Sequence, residues 1–289
     1  ASNQKDAPQD KLAATNSKEP LGETVTEHTF KAIQTAINEA QSGDAIYLTS
    51  GTYYNDGNGQ ISISGKDNIA IIGDSTILDA QGKSRIFRIS NSKNVTIKNI
   101  TFKNGHTFGS FEFGGAIYWV NSDDGTVSGC SFVNNIANRY GGAIYRSYSD
   151  GGSVFGCSFV NNTVKSIIGD DNSGGAICWF GNGGSVFGCS FVNNTAKSNG
   201  GAIDWTGNDS SVFGCSFVNN TAKKNVIYFN NYNGNNLTVN SNIFLDNACP
   251  NEISFKYSDD SSNIDFNWFG NNATDYTVQP KTVNIVANN

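Results

Sequence analysis

The sequence predicts an all-β chain: a right-handed parallel β-helix, or solenoid, with an N-terminal capping helix. Three observations carry this. One unit is written four times between Phe113 and Lys223: GGAIYW to GCSFVNN (Gly114–Trp119, Gly129–Asn135), GGAIYR to GCSFVNN (Gly141–Arg146, Gly156–Asn162), GGAICW to GCSFVNN (Gly174–Trp179, Gly188–Asn194) and GGAIDW to GCSFVNN (Gly200–Trp205, Gly214–Asn220). The period, read from Cys130, Cys157, Cys189 and Cys215, is 27, 32 and 26 residues, too short for a propeller blade. The unit holds short apolar runs such as Ser153-Val154-Phe155, broken by glycine and asparagine, without the three- and four-residue spacing of a helix. One such unit cannot bury its apolar face alone, but stacked copies can. The right hand follows from the chirality of parallel crossovers.

Taken in order, residues 1–23 read as a flexible lead-in, polar and marked by Pro8 and Pro20. Residues 24–289 form the β-helix domain. Phe30, Ile33 and Ile37, with Ala32, Ala36 and Ala40, lie at helical spacing, so a capping helix is expected at about 30–42 (Phe30–Gln41 at its core), started by Thr29 and followed by Gly43. It would cover the open end of the solenoid, where core and strand edges are otherwise bare. A strand (Asp44–Leu48) and a turn (Ser50–Tyr53) follow, then two or three degenerate coils with apolar runs at Gln60–Ile63, Ile69–Ile72, Ile86–Ile89 and Val95–Ile97.

The regular repeats occupy about 113–223. Stacked at about 4.8 Å per coil, they predict ladders of like residues: Cys130, Cys157, Cys189 and Cys215; Phe132, Phe159, Phe191 and Phe217; Ile117, Ile144, Ile177 and Ile203. Gly129, Gly156, Gly188 and Gly214 align with Asn99, and both residue types tolerate positive φ, which places a corner there. Further coils follow at Leu237–Asn247, with Asn242 where cysteine stood, and at Ile264–Asn272. Roughly eight coils make a rod near 40 Å long.

The 289 residues carry a net charge of −6 with only 15% charged residues, which argues against nucleic acid as a partner. No apolar run is long enough to span a membrane. The chain has no methionine, which points to a removed leader or a chain cut from a longer one.

GGAI followed by Phe-x-x-Asn (Phe132–Asn135, Phe159–Asn162, Phe191–Asn194, Phe217–Asn220) resembles the paired motif of chlamydial polymorphic outer-membrane proteins. The fuller pattern resembles the adhesin-like surface proteins of methanogenic archaea: Phe30–Tyr53, Thr76–Gly82, Asn94–Gly105, the GGAI coils and Asn267–Gly270, over roughly residues 28–272. The resemblance implies the pectin-lyase-like fold, a secreted protein at the extracellular cell surface, and adhesion to other microbial cells or their polysaccharides.

The candidate binding residues are aromatic. Val154 inward and Phe155 outward make Phe155, Phe187 and Phe213 one outer ladder. Trp119, Trp179 and Trp205 form a second row. Parity with Ile117 would point them inward, but Arg146 among them argues for a strand end that reaches solvent. Tyr118, Tyr145, Cys178 and Asp204 make an outward row beside them, with Cys178 exposed. Phe108 and Phe111 lie in a loop at a coil insertion, and loops carry function more often than stacked coils. The ladder cysteines lack the CxxC spacing of zinc sites and read as buried thiols.

The candidate acids for an enzyme (Asp123-Asp124, Asp150, Asp170-Asp171, Asp204, Asp259-Asp260) lie mostly in turns rich in glycine, serine and asparagine, where carboxylates are usually solvated. Asp204 has no acidic counterpart in its ladder. The bases are sparse: Arg85, Arg88, Arg139, Arg146, His28 and His106. The sequence therefore reads as a monomeric, non-catalytic adhesin module needing no cofactor. Calcium stays open at Asp170 and Asp171, since loop carboxylates and amide oxygens are hard ligands. The alternatives are a polysaccharide lyase or glycoside hydrolase on the same fold, and a structural spacer of the cell envelope.

Overall fold

A computed structural model describes residues 22–109, 112–165, 172–230, 236–256 and 262–270, together with the backbone of 276–278 and 285–286. The chain winds into a right-handed parallel β-helix with three faces, and every strand pairing among the described residues is parallel. Face one holds Ala45–Leu48, Thr126–Ser128, Ser153–Phe155, Ser185–Phe187, Ser211–Phe213 and their continuations. Face two holds Gly51–Tyr54, Ser131–Val133, Ser158–Val160, Ser190–Val192, Ser216–Val218 and Ile243–Leu245. The long strands Ala70–Asp79 and Thr96–Lys103 serve both faces by bending between them. Face three is a separate nine-stranded sheet running from Ile61–Ser64 through Phe87–Ser90, Ile117–Val120, Ile144–Ser147, Ile177–Phe180 and Ile203–Thr206 to Tyr276–Val278. That makes about one coil more than the eight expected.

The register is the one that the repeats dictate. Face one stacks Ile46, Ile71, Ile97, Val127, Val154, Val186, Val212, Val239 and Ile264 inward. Face two stacks Phe102, Phe132, Phe159, Phe191, Phe217 and Phe244, with ring centroids 4.8–4.9 Å apart and planes within 9°. These phenyls are fully buried or nearly so, so truncating one to alanine costs about 3–5 kcal/mol. Face three stacks Ile117, Ile144, Ile177 and Ile203.

Two corners repeat in every regular coil. At the first, Asn99, Gly129, Gly156, Gly188 and Gly214 all sit at φ between 57° and 60°. The thiol behind each turn is buried, and the backbone N–H of Cys157 lies 3.4 Å from Cys189 Sγ. No disulfide joins them. At the second corner, the outer asparagine takes the left-handed turn (Asn161, φ 57°). The inner one joins a buried amide ladder through Asn135, Asn162, Asn194 and Asn220 to Asn247. Asn162 Nδ2 donates to Asn194 Oδ1 and to Phe132 O, both at 3.0 Å. Its Oδ1 accepts from the N–H and Nδ2 of Asn135. Every polar atom of the side chain is thereby paired away from water, as burial demands.

The capping helix spans Phe30–Glu39. Thr29 accepts from Ala32 N at 3.1 Å, and Phe30, Ile33, Ala36 and Ile37 are buried on the first coil. Gln34 also closes the open edge of Ile61–Ser64: its Nε2 donates to Ser62 O, and its Oε1 accepts from Ser62 N. Two expectations change here. Gly22 and Glu23 are not lead-in but the start of a strand, Gly22–Val25, paired with Ala45–Leu48. Gly51–Tyr54, expected as a turn, is a strand on face two because its neighbour Thr76–Asp79 offers it a partner. Residues 1–21 lie outside the described part.

Candidate functional site

Apart from Arg146 in the tryptophan row, the regular coils share their inward residues, and faces one and two repeat their outward serines, valines and phenylalanines except at Thr126 and Ser128. Face three does not. Its outward row runs Ser62, Arg88, Tyr118, Tyr145, Cys178, Asp204, Tyr228, Ser254 in strict register. Variation between coils is concentrated in this outward row, which makes face three the candidate site.

Arg85 and Arg88 flank Tyr118. Their guanidinium carbons stand 4.9 and 5.8 Å from its ring centroid. Arg85 is fully engaged: it donates to Gln60 Oε1, Glu112 Oε2 and the carbonyls of Phe113 and Gly114. Burial pulls its pKa below the ordinary arginine value, and the hydrogen bond to Glu112 opposes this. Arg88 is exposed and makes no hydrogen bond or ion pair among the described residues. It is a cation held against an aromatic ring with its donors facing solvent, the arrangement that receives a carboxylate or sulfate.

An aromatic wall continues from there. Tyr118 stacks on Tyr145 at 5.5 Å, Tyr145 on Phe113 at 4.7 Å, and Phe113 on Tyr140 at 5.6 Å. Phe180 meets Tyr145 at 5.8 Å. Burial pushes the Tyr145 phenol well above its usual pKa, so it holds its proton and acts as a donor. Beyond Tyr145 opens a hollow of about 610 Å³ lined by Asp123, Tyr145, Ser147, Tyr148, Asp150, Phe180, Gly181 and Asn182. Tyr148 is 81% exposed at its rim. Asp123 Oδ1 accepts from Asp150 N, and Asp150 Oδ1 accepts from the N–H and Nδ2 of Asn182. The second oxygen of each carboxylate makes no hydrogen bond among the described residues.

The other expected sites fare differently. Trp119, Trp179 and Trp205 do not reach solvent; all are at most 1% exposed. Parity with Ile117 sets their direction. Arg146, 3% exposed, follows them inward because its guanidinium lies between two indoles, 5.2 Å from Trp119 and 4.5 Å from Trp179. Cys178 is buried as well, and burial beside Asp204 raises its thiol pKa.

Phe155, Phe187 and Phe213 are on the outer face, stacked at 4.9 and 5.0 Å with planes within 5°. Their inner ring faces are turned to each other, while Ser128 and Asn240 border the two ends of the row and Phe213 is exposed. Beside them runs a shallow groove of about 530 Å³ over the four corner glycines. Phe108 is 64% exposed and packs on His106 at 4.3 Å. Phe111, Asp170 and Asp171 lie outside the described residues. Among the described residues no three metal-ligating side chains cluster.

Sequence reasoning named Tyr118 and Tyr145 but missed Arg85, Arg88, Phe113, Tyr140, Tyr148 and Phe180 as their company. Carrying the GGAI register back one coil would have found Arg88, since Phe87 aligns with Ile117.

No protein-family model matches the chain, and no curated protein matches it. Among solved structures, alginate lyase AlyF-OU02 in complex with G6 aligns with a TM-score of 0.51 at 11% identity, over 94% of this chain and 66% of that one. The alginate lyase from Paenibacillus sp. str. FPU-7 aligns with a TM-score of 0.51 at 15% identity, over 91% of this chain and 99% of that one. This chain thus spans 66% of the length of the first. Likeness at such identities shows the fold. It supports the pectin-lyase-like part of the resemblance drawn from the GGAI coils, and neither the adhesin identity nor an archaeal origin. The expectation of a non-catalytic chain is corrected to this extent: both of these solved β-helices are alginate lyases, so the fold is one that carries enzymes.

Proposed function

We propose that the chain engages an acidic polysaccharide along the outer row of face three and processes it, as a lyase or hydrolase built on the parallel β-helix. The observation that carries this is Arg88: an exposed guanidinium against Tyr118, with its donors unclaimed, at the head of an aromatic wall. Arg88 pairs with an anionic sugar, Tyr118 and Tyr145 border the sugar with ring edges and phenol donors, and Arg85 positions Tyr118. Two supports come from outside the site. Alginate, named for both solved relatives in fold, is a chain of uronates, and face three is where the repeats diverge. A substrate of this kind supports a location outside the cell.

The test is one incubation of the purified chain with a panel of acidic and neutral polysaccharides, alginate and polygalacturonate included. Retention is read together with unsaturated and reducing ends. Acidic polymers are expected to be retained, with retention about tenfold weaker in Arg88→Ala and Tyr118→Ala, and new ends are expected from at least one of them. Retention without new ends in any polymer removes the processing half. Equal retention of neutral and acidic polymers, or none, overturns the reading.

A further inference from the structure

The site on face three is electrically polarised along its length. Arg88 stands one coil before Tyr118, on the side of the capping helix. The hollow beyond Tyr145 presents the opposite sign: Asp123, Asp150 and Asn182 occupy the turns that close three successive coils and are linked in series by the hydrogen bonds described above. From the coil of Arg88 to the coil of Asn182 is three axial steps, roughly 14 Å, the reach of a short oligosaccharide.

Among the described residues no cation forms an ion pair with either carboxylate; Lys93 occupies the same turn one coil before Asp123 and is not paired with it. Arg146 is nearby, and Asp123, Asp124 and Asp150 all raise its pKa. Yet its hydrogen bonds go inward, to the carbonyls of Ser122, Gly125 and Asp150 at 3.4, 3.3 and 3.2 Å. A uronate carboxylate in this hollow would face two like charges at close range, which is costly away from bulk water. An uncharged sugar suits it. Its hydroxyl or acetamido groups donate to the second oxygens of Asp123 and Asp150 and accept from Asn182, and its apolar face lies on Tyr148 and Phe180.

We infer that the ligand is a mixed polysaccharide, with an acidic sugar at Arg88 and an uncharged sugar in the Asp123–Asp150 hollow, bound in one direction along the solenoid. This rests on the polysaccharide reading above and adds the sugar class and polarity to it.

The experiment measures affinity for three unsulfated polymers that alternate a uronate with an N-acetylhexosamine (hyaluronan, chondroitin and heparosan), for polygalacturonate, in which every unit is acidic, and for dextran, which is neutral. Wild type, Arg88→Ala and Asp123→Asn/Asp150→Asn are compared, and the melting temperature of each variant verifies its fold. Asparagine keeps the Oδ1 acceptors of both turns, removes the charge and turns each second oxygen from an acceptor into an N–H donor.

The expected result is a preference of about tenfold or more for at least one alternating polymer over polygalacturonate. In the double variant the preference should fall to about twofold or less, because polygalacturonate binds better and the alternating polymer loses two acceptors. A preference for polygalacturonate in the wild type, or one unchanged by the double substitution, overturns the mixed-polymer inference and leaves the acidic-polysaccharide reading standing if Arg88→Ala still weakens binding. Affinities untouched by Arg88→Ala, or no binding at all, overturn both.

Discussion

The guanidinium carbon of Arg146 lies 4.5 Å from the centroid of the Trp179 indole, in a row that tryptophan holds in the coils on either side. Burial lowers the Arg146 pKa to about 10, its Nε has no partner, and no carboxylate lies within ion-pair distance among the described residues. The row keeps its clearance for an indole. A β-carbon at Gly125 would collide with Trp119, and Gly152, six residues after Arg146 as Gly125 is after Trp119, lies against the Arg146 guanidinium. Replacing a poorly paired buried charge with apolar volume is often stabilising. Arg146→Trp should therefore raise the melting temperature by several degrees, whereas Arg146→Ala should cost about 3 kcal/mol through the cavity it opens. Thermal denaturation of both variants decides this.

Neighbouring asparagines should answer mutation in opposite ways. Asn193 takes a left-handed turn at φ 56° on the surface, while Asn194 is fully buried in the amide ladder. Asn193→Gly should change stability by less than about 0.5 kcal/mol, because glycine accepts that backbone. Asn194→Ala strips acceptors from Asn162 N and Nδ2 and should cost about 2–4 kcal/mol. Chemical denaturation of the pair tests whether the ladder stabilises as its hydrogen bonds imply.

His106 supplies a pH dependence. Partial burial, aided by Lys165, holds its pKa below the ordinary 6.5. The folded chain therefore favours the neutral ring, and between the two pKa values the unfolded chain binds more protons. Stability from this group is fully present above the unfolded pKa and is lost as pH falls toward the folded one. Substituting asparagine at His106 should flatten the decline in melting temperature between about pH 7 and pH 5. An unchanged slope would show that another group carries it.

The thiols should be silent until the solenoid opens. Burial raises Cys130 and Cys178 above the usual thiol pKa and pushes half-buried Cys249 up to about 12. Pulse alkylation of native protein should label little, with Cys249 first. In denaturant all six cysteines should react. Labelling of the corner cysteines in native protein would mean that the first corner breathes.

The ladders were legible because their inward residues are copied. Once Cys130, Cys157, Cys189 and Cys215 set the register, Phe132 had to stack on Phe159, and Asn99 had to share its backbone with Gly129. The candidate site was legible only in part. Tyr118 and Tyr145 stand out in the repeat, but Arg85, Arg88 and Phe113 lie in coils or turns where the repeat has decayed, and nothing in local pattern brings Phe180 beside Tyr145. The tryptophan row was misread for a physical reason. Arginine usually argues for solvent, yet a flat, weakly hydrated guanidinium fits between two indoles.

The identical corners have a genetic consequence. Gly129–Asn135, Gly156–Asn162, Gly188–Asn194 and Gly214–Asn220 share one sequence and one backbone path. Unequal recombination within any two of them would delete or duplicate a whole coil without shifting a single ladder out of register. An exchange between the last two would leave Arg88, Tyr118, Tyr145 and Phe180 where they are. Rod length beyond Phe180 is then free to change by whole coils, whereas an exchange across the first two corners would remove Tyr145.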